Sequence, residues 1–130
     1  MKTAQQLVAD AKANIVECSV DDLASVAGSE ALIIDIREPA EYTDHHIQEA
    51  INLPRGVLEF QLANHPSVAA SGCEPGVALE QLKQRPTYLI CRSGGRSALA
   101  AESLQKMGLE KVFSVAGGMQ AWVDSGKPTV

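Results

Sequence analysis

The sequence lacks several features that would assign it to a specialised class of protein. Its three cysteines, Cys18, Cys73 and Cys91, include no C-x-x-C pair, which argues against a structural zinc site. An odd number at irregular spacing also argues against a disulfide framework and suits a reducing compartment. No apolar run is long enough to cross a bilayer, and the first residues lack the apolar segment of a signal peptide. We therefore expect a soluble, cytoplasmic protein.

Positive charge is scarce as well: 11 Lys and Arg residues stand against 16 Asp and Glu residues, a net charge of −5. This balance argues against nucleic acid or a membrane surface as the partner. An anion-binding site would have to be local, built from a few arginines and backbone amides. Aromatic residues make up only 4% of the chain, so the core must be mainly aliphatic. A chain of 130 residues suits one domain, which buries its core without disulfides.

What the sequence does contain is an alternation of short buried strands and helices. Apolar runs rich in β-branched residues predict strands at residues 14–19, 31–36, 50–54, 87–91 and 111–116. Helical spacing and capping residues predict helices at residues 3–13, 19–28, 38–46, 56–63, 75–84, 95–107 and 117–126. A loop is expected at residues 65–76. The alternation predicts an α/β fold with a mainly parallel central sheet flanked by helices.

One segment, CRSGGRS at residues 91–97, concentrates groups that stabilise negative charge. Cys91 ends a predicted strand, and Gly94 and Gly95 allow the backbone to curl so that several N–H groups turn inwards. The first turn of the next helix adds unpaired N–H groups and the positive end of its dipole. Arg92 and Arg96 add full positive charges. We therefore expect the Cys91 sulfur to be largely thiolate at neutral pH, the form that acts as a nucleophile.

Three chemistries use a cysteine in such a loop: phosphate-ester hydrolysis, arsenate reduction and sulfur transfer. Four residues separate Cys91 from Arg96, one fewer than in the C-x5-R-[ST] loop of cysteine phosphatases. The shorter ring of amides suits a single terminal sulfur better than a tetrahedral oxyanion. The loop contains no acid to protonate a leaving group, and the nearest one after it is Glu102. The spacing therefore favours a persulfide on Cys91.

Three stretches, in order along the chain, resemble the single-domain rhodanese family, the thiosulfate sulfurtransferases. CRSGGRS resembles the family's six-residue active loop. LIIDIREPAEYTDHHIQEAINLP resembles its D-x-R-x-x-x-E-[YF]-x-x-x-H-I-x-G-A-x-N-x-P motif, and VAGGMQAW resembles its G-G-x-x-x-W ending. The resemblance implies a rhodanese-like three-layer α/β domain at residues 19–130, preceded by a helix and short strand at residues 1–18.

The resemblance also implies roles for individual residues. Cys91 would carry sulfane sulfur as a persulfide, taken from thiosulfate or a persulfide donor and passed to cyanide, a thiol or a protein acceptor. The residues expected to bind the substrate through backbone amides and charge are Arg92, Ser93, Gly94, Gly95, Arg96 and Ser97. Asp35 and Arg37 would support the loop from the side. No cofactor or metal is expected.

Other functions and several positions stay open at this stage. The domain could be a non-catalytic module that senses a persulfide or docks a partner, or an arsenate reductase or phosphatase. Residues 56–86 form a longer stretch than a minimal family member has, and we expect them to shape the rim of the site. Glu49 stands where the family usually has Gly, so we expect a slightly altered turn there. His45, His46 and His65 have no metal-ligand spacing.

Overall fold

The computed structural model describes residues 1–69 and 72–130, and its core is a five-stranded sheet. All four strand pairings are parallel, as the alternating sequence pattern predicted. The strands follow the spatial order β1-β5-β4-β2-β3. Their bounds are β1 Val16–Cys18, β2 Leu32–Asp35, β3 Ala50–Asn52, β4 Thr87–Ile90 and β5 Val112–Val115.

Seven α-helices surround the sheet within the described residues: α1 Ala4–Lys12, α2 Val20–Val26, α3 Pro39–Asp44, α4 Leu58–Gln61, α5 Pro75–Leu82, α6 Gly95–Lys106 and α7 Gly118–Asp124. Short 3-10 turns precede and follow α4, at Arg55–Val57 and Leu62–Asn64. Every strand and helix that the sequence predicted is present, with shifts at the ends. The predicted loop at 65–76 includes residues 70 and 71, which lie outside the described part of the chain.

Two aliphatic cores, one on each face of the sheet, make this a three-layer structure. On one face the strand residues Leu32, Ile34 and Leu89 pack with side chains of α4, α5 and α6. On the other face Ile33 and Ile90 pack with side chains of α2 and α7. Strand residues pointing to both faces are buried, which explains why β2 reads as an unbroken apolar run. The predicted α/β fold, with a parallel central sheet flanked by helices, is confirmed.

The amino-terminal helix and strand are packed into the same structure. α1 begins with the expected capping box, in which the Thr3 hydroxyl accepts a hydrogen bond from the Gln6 amide at 3.1 Å. Ala11 of α1 is fully buried, and Val8 lies against Gly95 at the start of α6. β1 pairs with β5 at the edge of the sheet. The division of the chain at residues 18 and 19 stays a prediction.

None of the helices at residues 1–69 and 72–130 has the length and apolar character needed to span a membrane.

The position of the central strands determines where a site can form. β2 and β4 are neighbours, and Asp35 lies beside Ile90 in their register. After β2 the chain continues to β3, on one side of the β2–β4 pair. After β4 it continues to β5, on the other side of that pair. Such a switch point opens a crevice at the carboxyl ends of the two strands, where α/β proteins bind ligands. The loop that begins at Cys91 lies at that end of β4.

Candidate active site

Cys91 is held at the centre of the predicted loop and is only 1% exposed. Its sulfur accepts hydrogen bonds from the backbone amides of Gly94 at 3.1 Å and Ser97 at 3.4 Å. Gly94 adopts φ of +102°, a left-handed conformation that lets the backbone turn back towards the sulfur. The loop therefore curls around Cys91, and the first turn of the 12-residue helix α6 faces the sulfur.

Helix α7 fixes the direction of the loop's peptide groups. The Met119 amide donates to the Cys91 carbonyl at 2.8 Å, and the Gln120 amide donates to the Arg92 carbonyl at 3.0 Å. In a trans peptide the N–H points opposite to the C=O, so the amides of Arg92 and Ser93 point away from α7. Four loop amides have no acceptor within residues 1–69 and 72–130; they belong to Arg92, Ser93, Gly95 and Arg96.

This close contact depends on Gly118, the first residue of α7. A Cβ at this position would lie 2.5 Å from the Cys91 carbonyl oxygen and 2.6 Å from that of Arg92. Gly118 also has φ of +55°, a conformation that L-residues with side chains rarely adopt. The GGMQAW segment therefore holds the backbone of the active loop.

A buried pair of hydroxyl groups extends from the sulfur into the sheet. Ser97 Oγ lies 3.4 Å from the Cys91 sulfur and 2.8 Å from Ser114 Oγ, and both serines are fully buried. Hydroxyl groups donate or accept as needed, so the pair can accept from a thiol or donate to a thiolate. Sequence reasoning missed Ser114 because a serine inside an apolar strand gives no motif signal.

Asp35 and Arg37 form an ion pair that is buried at the end of β2. The Asp35 carboxylate accepts from Arg37 Nη2 at 2.8 Å and from Nε at 3.0 and 3.1 Å, and Arg37 Nη2 also donates to the His45 carbonyl at 2.7 Å. Asn52 donates to the backbone carbonyls of Asp35 and Arg37, each at 3.0 Å. Each charge is therefore paired and hydrogen-bonded, as a buried ion requires.

Arg96 is paired with Glu41, the acid of the D-x-R-x-x-x-E-[YF] motif. Its two terminal nitrogens donate to Glu41 Oε1 and Oε2 at 2.9 and 3.2 Å. The two residues are 55 positions apart in the chain. The hydrogen bonds from Arg96 lower the pKa of Glu41 to about 2, although partial burial opposes this. Glu41 is therefore ionised at neutral pH.

Arg92, in contrast, makes no ion pair with a described residue and is exposed. It lines a cavity of about 340 Å³ next to the loop, together with Arg37, Glu41, Asp44, His45, Met119, Gln120 and Val123. Cys91 itself is not among the residues that line this cavity. No described residue of the 56–86 stretch lines it either, and the role of this stretch at the rim of the site stays a prediction.

The remaining positions singled out in the sequence have local roles. His45 Nδ1 lies 2.7 Å from Asp44, and His46 stacks on Tyr42 with ring centroids 3.7 Å apart. No group of three or more His, Cys, Asp or Glu residues within 1–69 and 72–130 is arranged to hold a metal ion. No non-glycine residue in those ranges has positive φ, so Glu49 is not strained where the family usually has Gly.

Comparison with known proteins agrees with this architecture. Residues 19–125 match the rhodanese-like domain family. The chain is 31% identical over 101 residues to a protein named sulfurtransferase from Allochromatium vinosum, covering 78% of this chain and 79% of that protein. It spans only 46% of the length of another relative, an uncharacterized protein from Synechocystis. The chain belongs to the rhodanese-like domain family.

Solved structures show the same fold. A protein of unknown function from Rhodopseudomonas palustris, described as a possible tyrosine phosphatase, superimposes with a TM-score of 0.80 at 28% identity, covering 100% of this chain and 96% of that one. The polysulfide-sulfur transferase homodimer from Wolinella succinogenes gives a TM-score of 0.70 at 26% identity, with coverage of 95% and 84%.

Proposed function

We propose that this protein is a sulfurtransferase that carries sulfane sulfur as a persulfide on Cys91. The observation that carries the proposal is the sulfur's position, where it accepts from the Gly94 and Ser97 amides inside a ring of further unpaired amides. Hydrogen-bond donors directed at one point stabilise negative charge there. In a persulfide that charge lies on the outer sulfur, one bond beyond Sγ.

The proposed reaction is a pair of sulfur transfers without net oxidation. The Cys91 thiolate attacks the outer sulfur of thiosulfate, the bond between the two donor sulfurs breaks, and sulfite leaves with the electron pair. A persulfide donor R–S–SH reacts in the same way and releases the thiolate R–S⁻. An acceptor such as cyanide, a thiol or a protein thiol then attacks the outer sulfur, and Cys91 leaves as the thiolate.

The names of two relatives support sulfur transfer, and the free cysteines are compatible with a reducing compartment. One relative is named a sulfurtransferase and another, from Bacillus subtilis, a putative sulfur carrier protein. Cys18, Cys73 and Cys91 are all free thiols. We propose that the protein works in a reducing compartment such as the cytoplasm, with small anionic sulfur donors and thiophilic acceptors as its partners.

Intact mass spectrometry after incubation with a panel of sulfur donors tests the proposal. Wild type should gain sulfur on Cys91 with at least one donor, and a Cys91→Ser variant should gain none. Cys18→Ser and Cys73→Ser are matched controls that should load like wild type. If Cys91→Ser loads as wild type does, or wild type gains no sulfur from any donor, the proposal fails.

A phosphatase is the second candidate because of the description of the Rhodopseudomonas palustris protein. The acid nearest to Arg96 opposes it: Arg96 keeps the pKa of Glu41 at about 2, so this carboxyl has no proton to give to a leaving group at neutral pH. Turnover of p-nitrophenyl phosphate by wild type, lost in Cys91→Ser, would favour phosphate chemistry instead.

A docking or persulfide-sensing module is the third candidate. A sensing module would accept sulfur on Cys91 without passing it to an acceptor. Pull-down of partners with wild type and Cys91→Ser separates docking from chemistry at Cys91, since docking alone would not need the sulfur atom.

A further inference from the structure

Helix α6, whose first turn faces the Cys91 sulfur, begins without the usual capping side chain. Helices α1 and α2 each begin with a capping box, in which the hydroxyl of Thr3 or Ser19 accepts from an amide of the first turn. The N-cap of α6 is Gly94, and no side chain of residues 1–69 or 72–130 caps this helix. A capping side chain would occupy amides that the site needs to hold a sulfur. The first turn of α6 therefore lacks local support, and glycine adds flexibility there.

Helix α1 packs along α6 and reaches this first turn. A Cβ placed on Gly95, the first residue of α6, would lie 3.7 Å from Val8 Cγ2, an ordinary van der Waals distance. Further along, Asn14 Nδ2 donates to Glu102 Oε2 at 3.4 Å, and Ala11 is fully buried between these contacts. The contacts advance along both helices together, so α1 and α6 run side by side in the same direction. The amino-terminal turn of α1 thus lies at the same edge of the sheet as the active loop.

The turn that Val8 contacts supplies the amides of residues 95–97 to the ring around Cys91. It is closed by the hydrogen bond from the Ala98 amide to the Gly94 carbonyl at 3.2 Å. Because these amides belong to one turn, a movement of the turn would redirect all of them at once. Helices in proteins are stabilised mainly by packing against other elements, so the contact with α1 bears directly on the direction of these amides.

Resting on the sulfur transfer proposed above, we propose that Val8 is a positioning residue for the active loop. Val8 packs on Gly95, which has no side chain of its own, and holds the first turn of α6 with its amides directed at the outer sulfur. Val8 precedes residues 19–125, the part of the chain that matches the rhodanese-like domain family. This chain thus uses a helix outside that domain to support the site within it.

Sulfur loading of Cys91, followed by quenched mass spectrometry with a donor that loads wild type, tests the effect on the reaction. Val8→Ala should slow loading about three- to tenfold, which corresponds to the loss of two partly buried methyl groups. Val8→Ile keeps Cγ2 and should recover much of the rate. Asn14→Ala is the matched control, because it removes an α1–α6 contact at Glu102 and not at the first turn. It should load within about twofold of wild type.

Amide hydrogen exchange measured by NMR reports the first turn itself and does not depend on sulfur transfer. The amides of Ser97 and Ala98 should exchange about three- to tenfold faster in Val8→Ala than in wild type, and within about twofold of wild type in Asn14→Ala. Low concentrations of urea identify the kind of opening, since they accelerate exchange through global unfolding and leave exchange through local opening unchanged. We expect exchange at these two amides to be insensitive to urea.

Unchanged exchange at Ser97 and Ala98 in Val8→Ala would overturn the proposal. Exchange that urea accelerates would do the same, because the turn would then open only with the whole molecule. Faster exchange with unchanged loading, or equal slowing of loading by Asn14→Ala, would overturn the role of Val8 in sulfur transfer. If wild type gains no sulfur from any donor, the sulfur transfer fails together with the role of Val8 in it, even where exchange shows that Val8 holds the turn.

Discussion

Ser114 is the residue whose contribution to the site is least visible in the sequence. Its hydroxyl lies 2.8 Å from that of Ser97, which in turn contacts the Cys91 sulfur. The Ser97 hydroxyl lies between the Cys91 sulfur and the Ser114 hydroxyl and can bond to both. Loss of a hydrogen-bond partner at a buried hydroxyl costs about 1–3 kcal/mol, so the contact with Ser114 helps to hold the Ser97 hydroxyl in this position. We therefore regard Ser114 as a positioning residue that acts through Ser97.

Replacing Ser114 by Ala should slow sulfur loading of Cys91 by about three- to tenfold and lower the free energy of unfolding by about 1–3 kcal/mol. The rate is measured by quenched mass spectrometry and the stability by urea unfolding. Ser114→Thr keeps the hydroxyl and should recover much of the loading rate. Ser125→Ala removes a hydroxyl that donates to carbonyls at the far end of α7 and should leave the rate unchanged. Equal loading by Ser114→Ala and wild type would contradict the positioning role.

At the scale of elements, the site depends on how helix α7 meets the loop after β4. The amides of Met119 and Gln120 reach the loop carbonyls because Gly118 brings the two backbones together. This contact directs the amides of Arg92 and Ser93 away from α7. A change at Gly118 should thus alter the active loop although the residue carries no chemistry of its own.

Gly118→Ala should therefore reduce both stability and sulfur loading. Its Cβ would come within 2.5–2.7 Å of the Cys91 and Arg92 backbone, and we expect a loss of about 3 kcal/mol with loading reduced at least tenfold. Gly126→Ala is the matched control, since φ is +77° there but nothing lies within 4 Å of an added Cβ. It should cost about 1 kcal/mol and leave loading intact. Equal losses of stability and of sulfur loading in the two variants would mean that backbone strain, and not the contact with the loop, causes them.

The elements themselves were largely predictable from the sequence, because local patterns encode them. Residues 31–36 read as a buried strand since both faces of β2 are covered, and Gly94 and Gly95 indicate a curled loop. The contacts that complete the site were not predictable in this way. Glu41 and Arg96 are 55 positions apart, and the contact of Gly118 with Cys91 exists only once α7 has packed on the sheet.

At the scale of the whole molecule, the net charge of −5 weakens the attraction of anions, and so does the pairing of Arg37 and Arg96 with acids. A negatively charged protein does not attract anions as a whole, so we expect the ring of amides around Cys91 to stabilise negative charge locally. The switch point between β2 and β4 places this ring at the carboxyl edge of the sheet, and α6 and α7 close it from two sides.

The most direct test of sulfur transfer through Cys91 is a single-turnover experiment with a donor labelled at its outer sulfur. The protein is loaded, freed of donor, and mixed with cyanide, and labelled thiocyanate is measured. Wild type should release about one equivalent of label per loaded chain and return to the unmodified mass, because the Cys91 thiolate is regenerated. Cys91→Ser should release none. Label that stays on wild type, or thiocyanate formed equally by Cys91→Ser, would contradict the account.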